Sequence, residues 1–209
     1  MDAREGLVVD SLRKDWPGKT ISISFSVPAG GSLAVLGPSG CGKSSVLRMI
    51  AGLLEPDSGR VTLDGIDITA LAPGKRRVGM VFQESALFSH LSVGDNIAYG
   101  LACQGMRARE RRAAADRWLG LLGLEGFGPR RVETLSGGER QRVALARTLA
   151  VEPRLVLFDE PLSALDSGMR LRLGEELRAR QRELGYTAVY VTHDEAEAGR
   201  LADGVLRME

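Results

Sequence analysis

One eight-residue segment constrains the fold of this chain more than any other. An apolar run at residues 33–36 leads into a glycine-rich loop, and residues 43–53 have the pattern of a helix. The loop matches G-x-x-x-x-G-K-[ST], in which backbone N–H groups surround phosphate oxygens at a helix start. Its residues are Gly37, Pro38, Ser39, Gly40, Cys41, Gly42, Lys43 and Ser44, followed by Ser45. The flanking strand and helix favour a phosphate-binding loop over a glycine-rich turn with an incidental lysine.

A second apolar run, residues 155–158, ends in Asp159 and Glu160. Within the loop pattern, Lys43 reaches the β- and γ-phosphates of a nucleotide and the Ser44 hydroxyl ligates Mg²⁺. Ligands bind at the carboxyl ends of parallel strands. We therefore expect Asp159 to hold the Mg²⁺ shell and Glu160 to take a proton from, or orient, an attacking water. An acidic pair alone would more often cap a helix, but its combination with Lys43 and Ser44 favours catalysis.

A further predicted helix start has a distinctive sequence. Residues 135–142 are LSGGERQR, and the helix is predicted to continue through about residue 149. A hydroxyl and free N–H groups at the positive end of a helix make an anion site. The segment resembles the signature motif that distinguishes ABC ATPases from other phosphate-loop proteins. That resemblance implies contact with a γ-phosphate bound by a partner subunit, through Ser136, Gly137, Gly138 and Glu139. An ordinary capped helix is the alternative, although two glycines in a first turn are costly without a use.

The resemblance to ABC ATPases extends over residues 7–207, with the motifs in family order. It implies that Gln83 touches Mg²⁺ and the attacking water and couples them to a helical insertion. It also implies that His193 contacts the γ-phosphate, that residues 163–166 cross a dimer interface, and that Trp16 stacks on adenine. Without the family resemblance, a helix-cap role for His193 has equal weight. The alternative for Trp16 is an incidental surface tryptophan.

Periodicity predicts mixed β and α structure. Residues 21–27 alternate apolar residues with serine, and Asp64-Gly65 is a hairpin signal, which predicts antiparallel strands. From residue 155 strands and a helix alternate, which favours a parallel sheet. With the family resemblance this predicts an α/β phosphate-loop NTPase (ABC ATPase) fold with a mainly parallel sheet core, an N-terminal antiparallel β subdomain and an inserted α-helical subdomain. We expect one domain, residues 1–209, with the insertion at approximately 84–150.

Composition and charge exclude several other classes of protein. The chain is 44% hydrophobic and 26% charged with a net charge of +1, which is typical of a soluble globular protein and gives no footprint for nucleic acid. The four arginines within residues 107–112 are expected to form a solvated helix face. No apolar run approaches the roughly 20 residues that span a bilayer, and residues 1–5 lack a signal-peptide core. We therefore expect a cytoplasmic protein without a nucleic-acid partner.

The expected function follows from the motifs and the family resemblance together. Residues 88–100 resemble prokaryotic importers for sugars, oxyanions, iron, polyamines or thiamine. The resemblance implies an ATP- and Mg²⁺-dependent ATPase that powers transport as a homodimer or heterodimer. Its expected partners are an integral membrane permease and an extracytoplasmic solute-binding protein, and it would lie peripherally on the inner face of the membrane. The alternatives are an exporter subunit, a non-transport ABC ATPase in translation or DNA repair, and a scaffold that binds ATP without hydrolysis.

Overall fold

Two β-sheets and six α-helices build the computed structural model, which describes residues 5–163 and 165–208. Residues 1–4, used above to judge a signal peptide, and Ala164 of the predicted interface loop lie outside the described residues. The strands are β1 (Glu5–Trp16), β2 (Lys19–Pro28), β3 (Ser32–Leu36), β4 (Ser58–Leu63), β5 (Ile66–Asp67), β6 (Val78–Val81), β7 (Leu155–Asp159), β8 (Thr187–Thr192) and β9 (Gly204–Arg207). The α-helices are α1 (Lys43–Ala51), α2 (Val93–Cys103), α3 (Ala108–Leu121), α4 (Gly137–Leu149), α5 (Ser167–Leu184) and α6 (Glu195–Leu201).

The central sheet is parallel and has the strand order β6-β7-β8-β3-β9. Every residue of β7 and β8 is buried, because helices and the second sheet cover both faces of the central strands. The apolar runs predicted at residues 33–36, 155–158 and 187–192 are the strands β3, β7 and β8. The carboxyl ends of β3, β7 and β8 therefore lie at one edge of the sheet.

The second sheet is antiparallel, with the order β2-β1-β4-β5. The predicted Asp64-Gly65 turn joins β4 to β5, and both residues have positive φ angles, 51° and 77°. Two successive left-handed residues form the type I′ turn that matches the twist of a hairpin. The sheet packs its apolar face on α1 through a core that includes Leu7, Val61 and Ile50. The expected antiparallel start of the chain is confirmed.

Helices α2, α3 and α4 lie between β6 and β7 in the chain and pack around the buried Trp118. The helical stretch was expected from about residue 84, but helix starts only at Val93. The preceding loop is held by Asn96, which is fully buried, accepts from the Phe88 N–H at 2.8 Å and donates to its carbonyl at 3.0 Å. That side chain supplies the hydrogen bonds that a helix would otherwise provide. The division into one domain with an insertion at 84–150 stays a prediction.

Within the described residues, none of the helices combines the length and the apolar character that crossing a membrane would require.

Candidate nucleotide-binding site

The glycine-rich loop connects β3 to α1, as predicted. Gly40 and Gly42 have φ angles of 82° and 112°, and a Cβ atom at Gly42 would collide with the Ile21 side chain. Helix α1 has no side-chain N-cap, so its first N–H groups face the loop. Lys43 is 4% exposed, and its Nζ donates to the carbonyl oxygens of Gly37 and Pro38, both at 2.8 Å. This backbone geometry suits the binding of an anion at the start of α1.

A cavity of about 500 Å³ lies beside this loop. Trp16, at the end of β1, is 36% exposed and lines the cavity across from the loop. Stacking of this tryptophan on adenine stays a prediction. Lys19, which the sequence analysis missed, also lines the cavity, and its Nζ donates to the Gly40 carbonyl. A basic residue directly after the Trp-Pro-Gly turn was the signal that could have identified it. The full lining is Trp16, Lys19, Ile21, Ser39, Gly40, Gly42, Lys43, Ser44, Ser45, Gln83 and Glu160.

The side chains of Ser44 and Asp159 contact each other at the end of the phosphate-binding loop. The Ser44 Oγ donates to the Asp159 Oδ1 at 2.8 Å, which joins the start of α1 to the end of β7. Burial raises the pKa of Asp159, while the Ser44 hydrogen bond and the charges of Arg48 and Lys43 oppose that rise. Among the described residues, no group of three or more His, Cys, Asp or Glu side chains could hold a metal ion by itself. The adjacent hydroxyl and carboxylate oxygens fit Mg²⁺, which prefers one or two protein ligands together with phosphate and water oxygens.

Glu160 follows the last residue of β7 and has a left-handed backbone conformation, with φ 46°. Its N–H donates to the Val191 carbonyl at 3.0 Å, which fixes this turn against β8. Two side chains from other strand ends approach its Oε2 atom: Gln83 Nε2 at 3.5 Å and His193 Nδ1 at 3.4 Å. These distances are too long for strong hydrogen bonds, so the three side chains are neighbours rather than a closed network. The structure thus brings the three predicted catalytic residues together; Gln83 and Glu160 line the cavity, whereas His193 does not and reaches it only as a neighbour of Glu160.

Residues 135–142, which resemble the signature motif and are called the signature-like segment below, do not line the cavity beside the glycine-rich loop. Ser136 caps α4 in a capping box: its Oγ accepts from the Glu139 N–H at 3.3 Å, and the Glu139 carboxylate accepts from the Ser136 N–H at 2.6 Å. Gly137 is exposed, whereas Gly138 is buried, and a Cβ there would lie 2.5 Å from the Met169 sulfur. Close packing against α5 is therefore a local use for this glycine. In the predicted interface loop, residues 163–166, Asp166 caps α5 by accepting a hydrogen bond from the Met169 N–H at 3.0 Å.

A strand, a phosphate-binding loop and a helix, with acidic residues ending another strand of the same parallel sheet, define the class of phosphate-loop NTPases. A sequence profile described as "ABC transporter" matches residues 21–163. The chain belongs to the ABC transporter family, and its fold is that of the ATP-binding cassette.

Similar proteins support this assignment in sequence and in structure. The chain is 50% identical over 187 residues to "Fe(3+) ions import ATP-binding protein FbpC 1" of Rhizobium meliloti (strain 1021), covering 90% of this chain and 53% of that protein. It is 44% identical over 187 residues to the protein FbpC of Escherichia coli (strain K12), covering 90% of this chain and 54% of the relative. The chain therefore spans about half the length of these curated relatives.

Two solved structures share the fold over almost the whole chain. The post-hydrolysis dimer of the ATP-binding cassette MJ0796, bound to ADP and Pi, superposes with a TM-score of 0.86 at 32% identity, covering 97% of this chain and 94% of that one. The structure of cbiO1 from Clostridium perfringens, part of the ABC transporter complex cbiONQ, superposes with a TM-score of 0.88 at 31% identity, covering 99% of this chain and 85% of that one.

Proposed function

We propose that this chain binds and hydrolyses ATP as one of a pair of subunits that power import through a membrane permease. The observation that carries the proposal is the approach of Gln83 and His193 to Glu160, which lines the cavity beside the phosphate-binding loop. A loop that only held a nucleotide would not need a carboxylate, an amide and an imidazole brought from three strand ends. This arrangement favours hydrolysis over a scaffold that binds ATP without turnover.

In the proposed reaction, the α1 N-terminus and Lys43 bind the phosphates, and Trp16 stacks on the adenine ring. Ser44, Asp159 and Gln83 would hold Mg²⁺, which neutralises charge on the β- and γ-phosphates when bound. Gln83 and His193 orient a water molecule, and Glu160 takes one proton from it as its oxygen attacks the γ-phosphorus. The bond between the γ-phosphorus and the oxygen that bridges the β- and γ-phosphates breaks, giving ADP and inorganic phosphate.

The second half of each site is proposed to come from a partner subunit. Ser136, Gly137, Gly138 and Glu139 lie at a helix N-terminus that does not line this chain's own nucleotide cavity. Two chains arranged head to tail would place each such helix end against the other's γ-phosphate. ATP would then make contacts that only the closed pair offers, and this difference in affinity drives closure. Hydrolysis removes the shared phosphate and reopens the pair.

The segment after Gln83 is proposed to transmit this motion to the permease. A groove of about 360 Å³ is lined by Ser85, Ala86, Leu87, Val132, Glu133 and Arg140. A hydrogen bond connects the groove to α4, because Arg147 Nη1 on that helix donates to the Ala86 carbonyl at 2.8 Å. One loop therefore connects a residue of the nucleotide cavity to the helix that begins with the signature-like segment. A short helix of the permease is the proposed occupant of the groove.

The similar proteins support a proposal for the cargo and the location of the assembly. Relatives with 44–50% identity are named as Fe(3+) importers, and we propose ferric iron as the cargo. The cargo would be delivered by an extracytoplasmic solute-binding protein, with this chain on the cytoplasmic face of the membrane. Nothing in the described residues favours the exporter or the translation and DNA-repair alternatives.

The test of hydrolysis is Glu160→Gln. Replacing the carboxylate removes the proton acceptor without changing side-chain size, so we expect unchanged ATP affinity and a turnover reduced by about 10²–10³-fold. We also expect this variant to accumulate as a dimer in MgATP, measured by analytical ultracentrifugation. Glu175→Gln, an exposed position on α5, is the matched control. Normal phosphate release by a monomeric Glu160→Gln variant would refute the role of Glu160.

The test of transport is purification of the tagged protein from gently solubilised membranes of its native cell. We expect an integral membrane permease to co-purify. Recovery only with ribosomes, DNA or soluble proteins would leave the ATPase proposal standing and refute the transport proposal.

A further inference from the structure

A second and larger cavity, of about 750 Å³, lies at the opposite end of the parallel sheet from the phosphate-binding loop. Arg77, Arg154 and Tyr186 immediately precede β6, β7 and β8, so the amino ends of three neighbouring strands form one side of it. The other side is formed by Trp118 and Leu121 near the end of α3. The cavity volume falls within the usual range for small-molecule sites. Nothing in the proposed ATPase mechanism uses this cavity.

Three arginines line the cavity, and their guanidinium groups lack ion-pair partners in the described part of the chain. They belong to Arg77, Arg117 and Arg154, all exposed. Of the two acidic lining residues, Glu183 already accepts a hydrogen bond from Arg180 Nη1 at 2.6 Å. The cavity therefore has a surplus of positive charge that is free to bind. Unpaired arginines suit planar oxyanions, to which they donate two parallel hydrogen bonds.

The inner wall of the same cavity is apolar. Trp118 and Tyr186 are 3% and 5% exposed, and Leu149 is also buried. Leu121 and Leu184 are 39% and 49% exposed and extend this apolar surface towards the opening. A small inorganic anion would leave these side chains uncovered. A ligand with an apolar body and an anionic group would cover them and meet the arginines.

Two residues that line the cavity also have a costly backbone conformation. Arg77 and Glu152 are non-glycine residues with φ angles of 56° and 51°, and both line the cavity. The Arg154 N–H donates to the Arg77 carbonyl at 3.0 Å, and the Arg154 carbonyl accepts from the Thr187 N–H at 3.0 Å. Such strain persists only where the surrounding structure fixes it, and it concentrates at ligand sites. The bonds between the strand ends fix the backbone positions of two of the arginines.

We propose that this cavity binds an organic anion with an apolar body, such as a carboxylate or a phosphate or sulfate ester. Its anionic group pairs with Arg77 and Arg154, and its apolar part packs on Trp118 and Leu121. The bound molecule joins α3 of the helical insertion to the strand ends of the core. This inference stands on the cavity alone and is independent of the proposed ATPase function.

The probe for this site is 8-anilinonaphthalene-1-sulfonate, an aromatic anion whose fluorescence rises on transfer from water to an apolar environment. We expect saturable binding at one molecule per chain. Arg77→Gln combined with Arg154→Gln removes two charge-assisted hydrogen bonds and should raise the dissociation constant by at least about tenfold. Hydrogen exchange of backbone amides at residues 117–121 and 184–187 should slow in the presence of the probe.

Two controls locate the probe. Arg109→Gln combined with Arg112→Gln makes the same charge change at exposed positions that do not line the cavity, and should leave the dissociation constant unchanged. Lys43→Ala alters the nucleotide cavity and should also leave it unchanged. Absence of saturable binding, equal weakening by both arginine pairs, or loss of binding in Lys43→Ala would each overturn the proposal. Circular dichroism and thermal unfolding establish that each variant is folded.

Discussion

At the scale of single residues, Asp159 and Glu160 show how two adjacent carboxylates reach different partners. Consecutive side chains of an extended strand point to opposite faces of the sheet. Here β7 ends at Asp159, so Glu160 is already part of the turn that follows the strand. The left-handed conformation of Glu160 costs roughly 1–3 kcal/mol in a non-glycine residue. The result is that Asp159 meets Ser44 while Glu160 meets Gln83 and His193. A strained residue in this position is consistent with its proposed catalytic role.

Another acidic residue near the site, Glu197, predicts a dependence of stability on pH. Its side chain on α6 is 4% exposed, and its Oε1 has no hydrogen-bond partner among the described residues. Burial raises the pKa of Glu197; a hydrogen bond with Thr192 opposes the rise, Asp194 adds to it, and the charges of Arg170 and His193 lower it. Below the pKa of the unfolded chain the carboxyl is protonated in both states. As pH rises through the folded-state pKa, ionisation of the buried group costs stability.

Glu197→Gln should therefore stabilise the protein at high pH and less at low pH. Removing a buried, incompletely paired charge should raise the free energy of unfolding by about 1 kcal/mol. For a chain of this size that corresponds to about 2–4 °C in Tm at pH 8, with a smaller shift at pH 5. Thermal unfolding at the two pH values measures it, with the exposed Glu175→Gln as control. An equal shift at both pH values would contradict the assignment to ionisation.

Sequence patterns identified the loop and acidic residues of the site but missed residues whose role depends on tertiary placement. The glycine-rich loop and the Asp159-Glu160 pair have local sequence signals, so they were predicted by position. In the run Lys75-Arg76-Arg77, by contrast, nothing distinguishes the middle residue, yet Arg76 alone is buried, at 5% exposure. Its burial depends on the carboxyl end of α1, whose Met49 carbonyl lies 27 residues earlier in the chain.

At the scale of elements, Arg76 closes the carboxyl end of α1. Its guanidinium donates to the carbonyls of Met49 and Ile50, both at 2.9 Å, and to those of Leu71 and Thr69. Gly52 ends the helix with φ 78°, and a Cβ there would lie 2.5 Å from the Arg76 Nε. One buried side chain thus satisfies helix-end carbonyls that would otherwise lack donors. The helix that begins at the phosphate-binding loop depends on this cap for its position.

Arg76→Lys should destabilise the fold although the charge is kept. A lysine ammonium cannot reproduce the planar set of donors, so at least one buried carbonyl loses its partner. We expect the free energy of unfolding to fall by about 2–3 kcal/mol, measured by urea unfolding. The exposed Arg112→Lys on α3 should change stability by less than about 0.5 kcal/mol. Equal stability of the two variants would show that the guanidinium contacts contribute little.

The elements themselves were predicted best where pairing or burial leaves a periodic pattern. The predicted strand at residues 187–192 has the bounds of β8, and the Asp64-Gly65 hairpin has its predicted turn. The loop before α2 was not predicted, because Asn96 satisfies its backbone from eight residues away in sequence. A polar side chain in a helix gives no local sign that it will bond to a preceding loop.

At the scale of the whole molecule, the two proposed halves of the site, the nucleotide cavity and the N-terminus of α4, do not meet among the described residues. The proposed assembly therefore predicts that Ser136→Arg, placed in the Glu160→Gln background, prevents dimer formation in MgATP while each chain still binds ATP. The larger side chain would occupy the space of the partner's γ-phosphate. Analytical ultracentrifugation and nucleotide binding measure the two effects.

Ala113→Arg, an exposed position on α3, is the control for added bulk and charge and should leave the dimer intact. A dimer that persists in the Ser136→Arg variant would mean that the signature-like segment is not at the interface.

The cap on α1 also has an electrostatic consequence. Helix α1 is nine residues long, so the Arg76 charge lies about 14 Å from the phosphate-binding loop. At an effective dielectric constant of about 20, a buried positive charge at that distance attracts each unit of negative charge by about 1 kcal/mol. This potential adds to that of the helix dipole, and the buried location protects it from screening by salt. Arg76 thus contributes, from the far end of the helix, to the electric field at the proposed polyphosphate site.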